Sequence, residues 1–236
     1  MGQPLRDEEK SRSQLLDELV ILRRQLACFQ SPAYYEARRP RPEESSYGPL
    51  QEGLVRVMEV LAGRSFYLVD HQRRVAQLSC AIAREMGLDE DRIDLLNLAA
   101  MMHDIGKILV PVQILNKSER LNLQDWTLIR SHAQGGYNII KNLELPGLVA
   151  QIVLQHHERM DGSGYPAGLK GKKILREARI LAVPDVVEAM AYNRPYRLNL
   201  GIKQALQEIS RNRDQLYDPE VVDVCLSLFD EGFEFL

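Results

Sequence analysis

Ala99-Ala100-Met101-Met102-His103-Asp104-Ile105-Gly106-Lys107 is the stretch on which the reading of this chain turns. It is an apolar helical run that delivers a histidine and an aspartate side by side at its end. A single histidine on such a face is ordinarily a hydrogen-bonded core residue. The pair is different, because a carboxylate leaving an apolar run needs a cation or hydrogen bonds. An aspartate can bridge two metal ions while the neighbouring histidine binds one of them. Gly106 is expected to end the helix and to let backbone approach closely. Lys107 lies four residues past His103 and faces the same site if the turn persists.

The rest of the chain holds further candidate ligands in similar settings. It has five histidines. His71 precedes Arg73-Arg74-Val75, His132 sits in Arg130-Ser131-His132-Ala133-Gln134-Gly135, and His156-His157 ends an apolar segment just before a glycine-rich run. Asp185 interrupts Ile180-Leu181-Ala182-Val183-Pro184-Asp185-Val186-Val187. Side chains converging from facing helices are how a bundle core builds a metal site. Five imidazoles and two carboxylates are too many for one tetrahedral zinc. They suit two five- or six-coordinate divalent ions, Fe or Mn ahead of Zn, Ni or Mg.

Composition bounds the alternatives. The chain has 236 residues, 45% of them apolar, which is enough for a sizeable core. A formal charge of −3 gives no long-range pull toward a nucleic-acid polymer, so an anionic ligand has to be attracted by local cations. Cys28, Cys80 and Cys225 lie far apart and read as buried apolar residues in a reducing compartment. No apolar run is long enough to span a bilayer, and the N-terminus is charged. The expectation is a cytoplasmic chain without a membrane segment.

In chain order, Leu15, Leu19, Leu22, Leu26 and Phe29 form a short heptad seam on an N-terminal amphipathic helix over residues 1–30. It reads equally as a solitary helix and as a parallel homodimer helix that passes signals from an upstream sensor or receiver domain. Residues 31–49 carry Pro32, Pro40, Pro42 and Pro49, with Arg38, Arg39 and Arg41 among them, and read as a linker. From residue 50 to 236 the pattern is all-α, with helices expected near 50–62, 65–87, 90–104, 123–142, 146–158, 175–192, 199–212 and 219–231. Asn122, Asn199 and Asp218-Pro219 are the candidate starts. The run Asp161–Gly171 has to be a loop, and Lys170, Lys172 and Lys173 read as a solvated charge run.

The order His71…His103-Asp104-x-Gly106-Lys107…His132…His156-His157…Asp185 resembles that of the HD superfamily of metal-dependent phosphohydrolases. His156-His157-Glu158-Arg159-Met160-Asp161-Gly162-Ser163-Gly164-Tyr165-Pro166 and Arg194-Pro195-Tyr196-Arg197 are similar to the signatures of its HD-GYP branch. The resemblance covers residues 50–232. It implies an HD-type helical bundle around a buried two-metal site. It also implies a phosphodiesterase that opens cyclic di-GMP to linear pGpG through a metal-bridging hydroxide, with GMP as a further product left open. Asp104 would bridge the ions, and His71, His103, His132, His156, His157 and Asp185 would fill the remaining positions. Lys107 would neutralise developing phosphate charge. Gly164 and Tyr165, with Arg194 and Arg197, would recognise the substrate. Two rival readings remain: a catalytically weak sensor of cyclic di-GMP or protein-interaction module, and an HD phosphohydrolase of another nucleotide.

Three positions depart from the family pattern. Some HD-GYP proteins have a third-metal glutamate four residues before the first histidine; Tyr67 stands there, so two ions are expected. Pro184 and Glu188 replace the usual residues in Ala-Asp-x-x-Asp-Ala, and a proline kink before Asp185 is expected to shift that ligand. The heptad seam gives a test of its own. If it dimerises, deleting residues 1–30 lowers the mass measured by light scattering, and an unchanged mass leaves the solitary helix.

Overall fold

Helix α1 (Leu68–Glu85) carries His71 near its start and stops at a glycine. Gly87 adopts φ +69°, its N–H donates to Arg84 O, and Leu88 N–H donates to Ala83 O, which closes the last turn. The computed structural model describes residues 68–115, 117, 119–192 and 200–235. The segments expected at 1–30 and 31–49, the helix expected at 50–62, Cys28, Tyr67, Arg194, Arg197 and Asn199 lie outside the described residues.

Helix α2 (Glu90–Met102) follows at once, capped by Asp89, whose carboxylate accepts from Arg92 N–H. A 3₁₀ turn (Ile105–Leu109) and a one-turn helix α3 (Val112–Leu115) lead to α4 (Leu123–Ile140). Asn122 starts α4 as expected, in a reciprocal capping box with Asp125. Helix α5 (Gly147–Gln155) ends at the histidine pair, and the glycine-rich loop follows and closes in a 3₁₀ turn (Gly171–Lys173). Helices α6 (Arg176–Ala191), α7 (Ile202–Arg211) and α8 (Pro219–Asp230) complete the described chain. Asp218 caps α8 with Pro219 in its first turn, as the sequence indicated. Among the described residues there is no strand, only one isolated bridge between Arg213 and Tyr217.

The apolar faces meet in one core. Leu78 and Ile82 of α1, Ile93, Leu96, Leu98 and Met102 of α2, Ile152 of α5, Ile180 and Leu181 of α6 and Ile209 of α7 are all essentially inaccessible. Helix α6 runs through the middle, so that Ile180 to Asp185 are buried without interruption. Cys80 and Cys225 are buried and free, and burial pushes both thiols up to about 12, as inert core residues.

Two boundaries differ from expectation. Helix α7 begins at Ile202 behind Gly201, not at Asn199. Helix α2 ends at Met102, before the His-Asp pair, and Gly106 lies inside the 3₁₀ turn instead of ending the helix. The reason is a backbone crossing. A Cβ on Gly106 would lie 1.9 Å from His132 O and 2.5 Å from Gly136 N, so the turn rests directly on the backbone of α4. The chain has to leave the α2 axis at Asp104 (φ −98°, ψ 4°) to make that contact.

Candidate metal centre

Five elements place histidines and carboxylates in one buried volume: α1, the end of α2, α4, the end of α5 and α6. His71, His103, His132, His156, Asp104 and Asp185 are all buried. The histidines are aimed by their backbones. His103 Nδ1 lies 2.7 Å from Ala100 O, His132 Nδ1 2.6 Å from Ile129 O and His156 Nδ1 2.6 Å from Val153 O. A carbonyl oxygen only accepts, so each Nδ1 carries the proton and donates it. Each Nε2 is then left as a bare lone pair turned inward.

Those lone pairs face one another. His132 Nε2 lies 3.3 Å from His156 Nε2, and His71 Nε2 lies 3.3 Å from His103 Nε2. In the His132–His156 pair both rings are neutral, and two unprotonated acceptors at this distance repel unless a cation sits between or beside them. The donor set therefore fits metal ions on structural grounds. Two clusters are suited to hold one, His71–His103–Asp185 and His132–His156–His157, and in each the ligand atoms lie within 4.8 Å of one another. Asp104 reaches both. Its Oδ1 is 3.5 Å from His132 Nε2, while its Oδ2 is 3.6 Å from His103 Nε2 and 3.8 Å from His71 Nε2. Asp185 also straddles the pair, 3.4 Å from His71 through Oδ1 and 3.8 Å from His157 Nδ1 through Oδ2.

The electrostatics agree with this geometry. Burial pushes the imidazoles of His103, His132 and His157 below their ordinary value, and that of His156 down to about 3. They are neutral ligands at pH 7. Burial works against ionising Asp104 and Asp185, but Lys107 and the histidines hold Asp104 low, and His71 and His157 do the same for Asp185. Lys107 Nζ sits 2.5 Å from Asp104 Oδ2, so the expected alignment is present, with the lysine spent on the carboxylate.

Pro184 does not displace Asp185. Helix α6 continues through the proline, and Asp185 still faces His71, His103 and His157. Glu188, read from the sequence only as a lengthened replacement, has a specific task. One of its oxygens accepts from His71 Nδ1, and the other accepts from Arg74 Nε and Nη2 at 2.9 and 2.6 Å. His71 is thereby oriented by a carboxylate where His103, His132 and His156 use carbonyls. Burial lowers the His71 pKa, and Asp185 and Glu188 more than offset it, leaving it raised. Burial likewise raises Glu188, which His71 and Arg74 outweigh.

The loop is held the same way. Glu158, which sequence reading left without a role, is buried and accepts from Ala167 N–H at 2.8 Å and Leu169 N–H at 2.9 Å. Its place directly after the histidine pair was the available signal. Gly164 packs where a Cβ would lie 2.4 Å from Glu158 Cα and Arg159 N. The anchored loop lays Tyr165 along His157, with ring centroids 4.7 Å apart. Lys170, Lys172 and Lys173 are exposed, as expected of a solvated run. Gly164 and Tyr165 are therefore brought to the centre.

Scaffold and site together define a helical domain built around a histidine–aspartate cluster suited to metal ions. Comparison with known proteins places it further. The HD domain family model matches residues 56–221. The chain is 38% identical over 194 residues to a cyclic di-GMP phosphodiesterase of Thermotoga maritima, covering 80% of this chain and 53% of that protein. It is 36% identical over 175 residues to the cyclic di-GMP phosphodiesterase response regulator RpfG of Xanthomonas campestris pv. campestris, covering 73% and 46%. It thus spans about half the length of these relatives. The solved HD domain of the L. monocytogenes phosphodiesterase PgpH, in complex with cyclic-di-AMP, has the same fold: TM-score 0.56, 21% identity, 78% of this chain and 98% of that one. The chain belongs to the HD domain family, in its HD-GYP branch.

Two outcomes follow. Glu188→Ala leaves His71 without its orienting carboxylate and is expected to weaken metal binding by about 10–100-fold, read by chelator competition. The metal-free chain is expected to lose melting temperature as the pH is lowered from 7 to 5. The unfolded histidines take up protons below about 6.5 while the four depressed ones in the fold do not, at a cost approaching ~1.4 kcal/mol per pH unit for each. His71, whose pKa is raised, runs the other way and offsets part of the loss. A melting temperature that is flat or rises on acidification would contradict the neutral cluster.

Proposed function

We propose that this domain is a metal-dependent phosphodiesterase that opens cyclic di-GMP to linear pGpG. GMP would be the second product where both diesters are cut. The observation that carries the reading is the split carboxylate of Asp104, whose two oxygens address two separate histidine clusters. In this reading His71, His103 and Asp185 hold one ion, His132, His156 and His157 hold the other, and Asp104 is shared. The imidazole-rich donor set favours Fe or Mn, with Zn, Ni and Mg behind them. When bound, divalent ions supply positive charge for phosphate oxygens and acidify water toward neutral pH.

The chain's own residues do the rest. Asp104 and Asp185 remain ionised in a buried site because Lys107 and the histidines stand beside them. Glu188 and the i−3 carbonyls fix the ring orientations, so little reorganisation is needed on binding. Tyr165 offers a ring face at the edge of the centre for a guanine, and Glu158 keeps it there. Arg194 and Arg197 stand three residues apart in the sequence, and their planar forks suit phosphate and guanine. The names of the similar proteins from Thermotoga and Xanthomonas support cyclic di-GMP as substrate. A Vibrio cholerae relative, 30% identical over 213 residues, is a 3'3'-cGAMP-specific phosphodiesterase and makes the mixed dinucleotide the second substrate to try.

The test combines metal content and turnover on one anaerobically purified sample given Fe(II) or Mn(II). Two equivalents of metal with linear pGpG as product are expected. Asp104→Ala is expected to lose metal and at least ~10³-fold in turnover, as loss of a bridging ligand removes the source of the acidified water. Two equivalents with tight binding and no product would instead make the domain a cyclic di-GMP sensor.

A further inference from the structure

Resting on the phosphodiesterase reading, the geometry points to Arg130 as the residue that binds the second phosphate of the cyclic dinucleotide, the one not being cleaved. Arg130 lies on α4 two residues before His132 and is exposed. Its guanidinium carbon sits 5.3 Å from the centroid of the Tyr165 ring and 6.0 Å from that of Trp126. Tyr165 in turn lies 4.7 Å from the His157 ring and 6.4 Å from His132. One aromatic ring thus separates this cation from the metal centre.

Among the described residues, Lys107, Arg74 and Arg159 near the site are already engaged. Lys107 is bound to Asp104, and Arg74 to Glu188. Arg159 donates to the carbonyls of His156 and Glu158 and lies over Tyr217. Among the described residues Arg130 pairs with no carboxylate. It is held by two π faces, which position a cation without neutralising its charge. Its planar fork is left for an oxyanion. A cyclic dinucleotide carries two phosphodiesters on opposite sides of its ring. With one at the histidine cluster, the other must lie toward the rim, where a net-negative chain offers no general attraction. Trp126, 47% exposed beside Arg130, supplies an apolar face for the accompanying base.

Binding of labelled cyclic di-GMP to the Mn(II)-loaded full chain, followed by stopped-flow anisotropy before turnover, tests this. Arg130→Ala is expected to weaken binding by about 10–100-fold, the worth of a charge-assisted hydrogen bond. Arg130→Lys should recover part of the loss as a point charge. GMP, which has a single phosphate and leaves Arg130 idle, should compete equally with wild type and Arg130→Ala, at equal metal content. An Arg130→Ala chain that binds cyclic di-GMP as wild type does, or that loses GMP as strongly, overturns the assignment. Wild type that binds cyclic di-GMP without cleaving it refutes the phosphodiesterase reading alone, and the Arg130 comparison still decides. Wild type that binds none refutes both.

Discussion

The confrontation of unprotonated imidazole nitrogens is the constraint on which this structure depends. Three histidines give their Nδ1 protons to the carbonyl three residues back, and a fourth gives its proton to Glu188. Every Nε2 so fixed points into a volume that holds other lone pairs and two carboxylates. Left bare, that volume is a concentration of buried acceptors with Lys107 as the nearby charge against them, and buried acceptors without donors are costly. The fold tolerates it because the surrounding helices are packed by an apolar core that α6 threads from end to end. Metal ions would turn the same arrangement from a cost into a source of stability, since ligand binding to the native state adds to folding free energy.

The placement of these histidines on helix ends follows from the same hydrogen-bond requirements. His103 and His156 are the C-caps of α2 and α5. The last four carbonyls of a helix lack intrahelical donors, and Ala100 O and Val153 O belong to those sets. One imidazole therefore performs two tasks, satisfying an orphan carbonyl and turning a lone pair suited to a metal ion into the centre. The negative ends of both helices are aimed at the centre as a consequence, which favours cations there. His132, in the body of α4, makes the same i−3 contact, and the backbone of the 3₁₀ turn can reach it only because residue 106 is glycine.

Much of this was legible in the sequence, and the parts that were not share a cause. The helical class, the Asn122 and Asp218 caps, the loop at 161–171 and the convergence of His71, His103, Asp104, His132, His156, His157 and Asp185 follow from periodicity, capping chemistry and the repeated appearance of ligands in apolar runs. The early end of α2 was not legible, because the force that bends the chain at Asp104 is the contact of Gly106 with α4, remote in sequence. The tasks of Glu158 and Glu188 were hidden for the same reason. Glu188 meets His71 across 117 residues, and a local pattern registers only its charge. Pro184 misled in the opposite direction. Helix propensity assigns it a kink and a displaced side chain, but α6 is buried without interruption from Ile180 to Asp185 and its neighbours hold Asp185 on target.

The two glutamates also show how the centre is joined to its surroundings. Glu188 connects His71 to Arg74, and Arg74 lies over the ring of Tyr192 with its guanidinium carbon 3.9 Å from the centroid. Tyr192 stands two residues before Arg194 of the Arg194-Pro195-Tyr196-Arg197 motif in the chain. Glu158 connects the histidine pair to the loop that carries Tyr165. Each side of the centre thus has a buried carboxylate: Glu188 of α6 joins His71 and Arg74 of α1, and Glu158, next to His157, accepts from two backbone N–H groups of the loop that carries Tyr165. A carboxylate fixed at both ends transmits displacement, because neither partner can shift without leaving a buried charge unpaired, which is costly. Glu188 therefore holds His71 in the cluster and Glu158 holds the loop beside it, and a change at either acts on the centre even though neither side chain belongs to the two clusters.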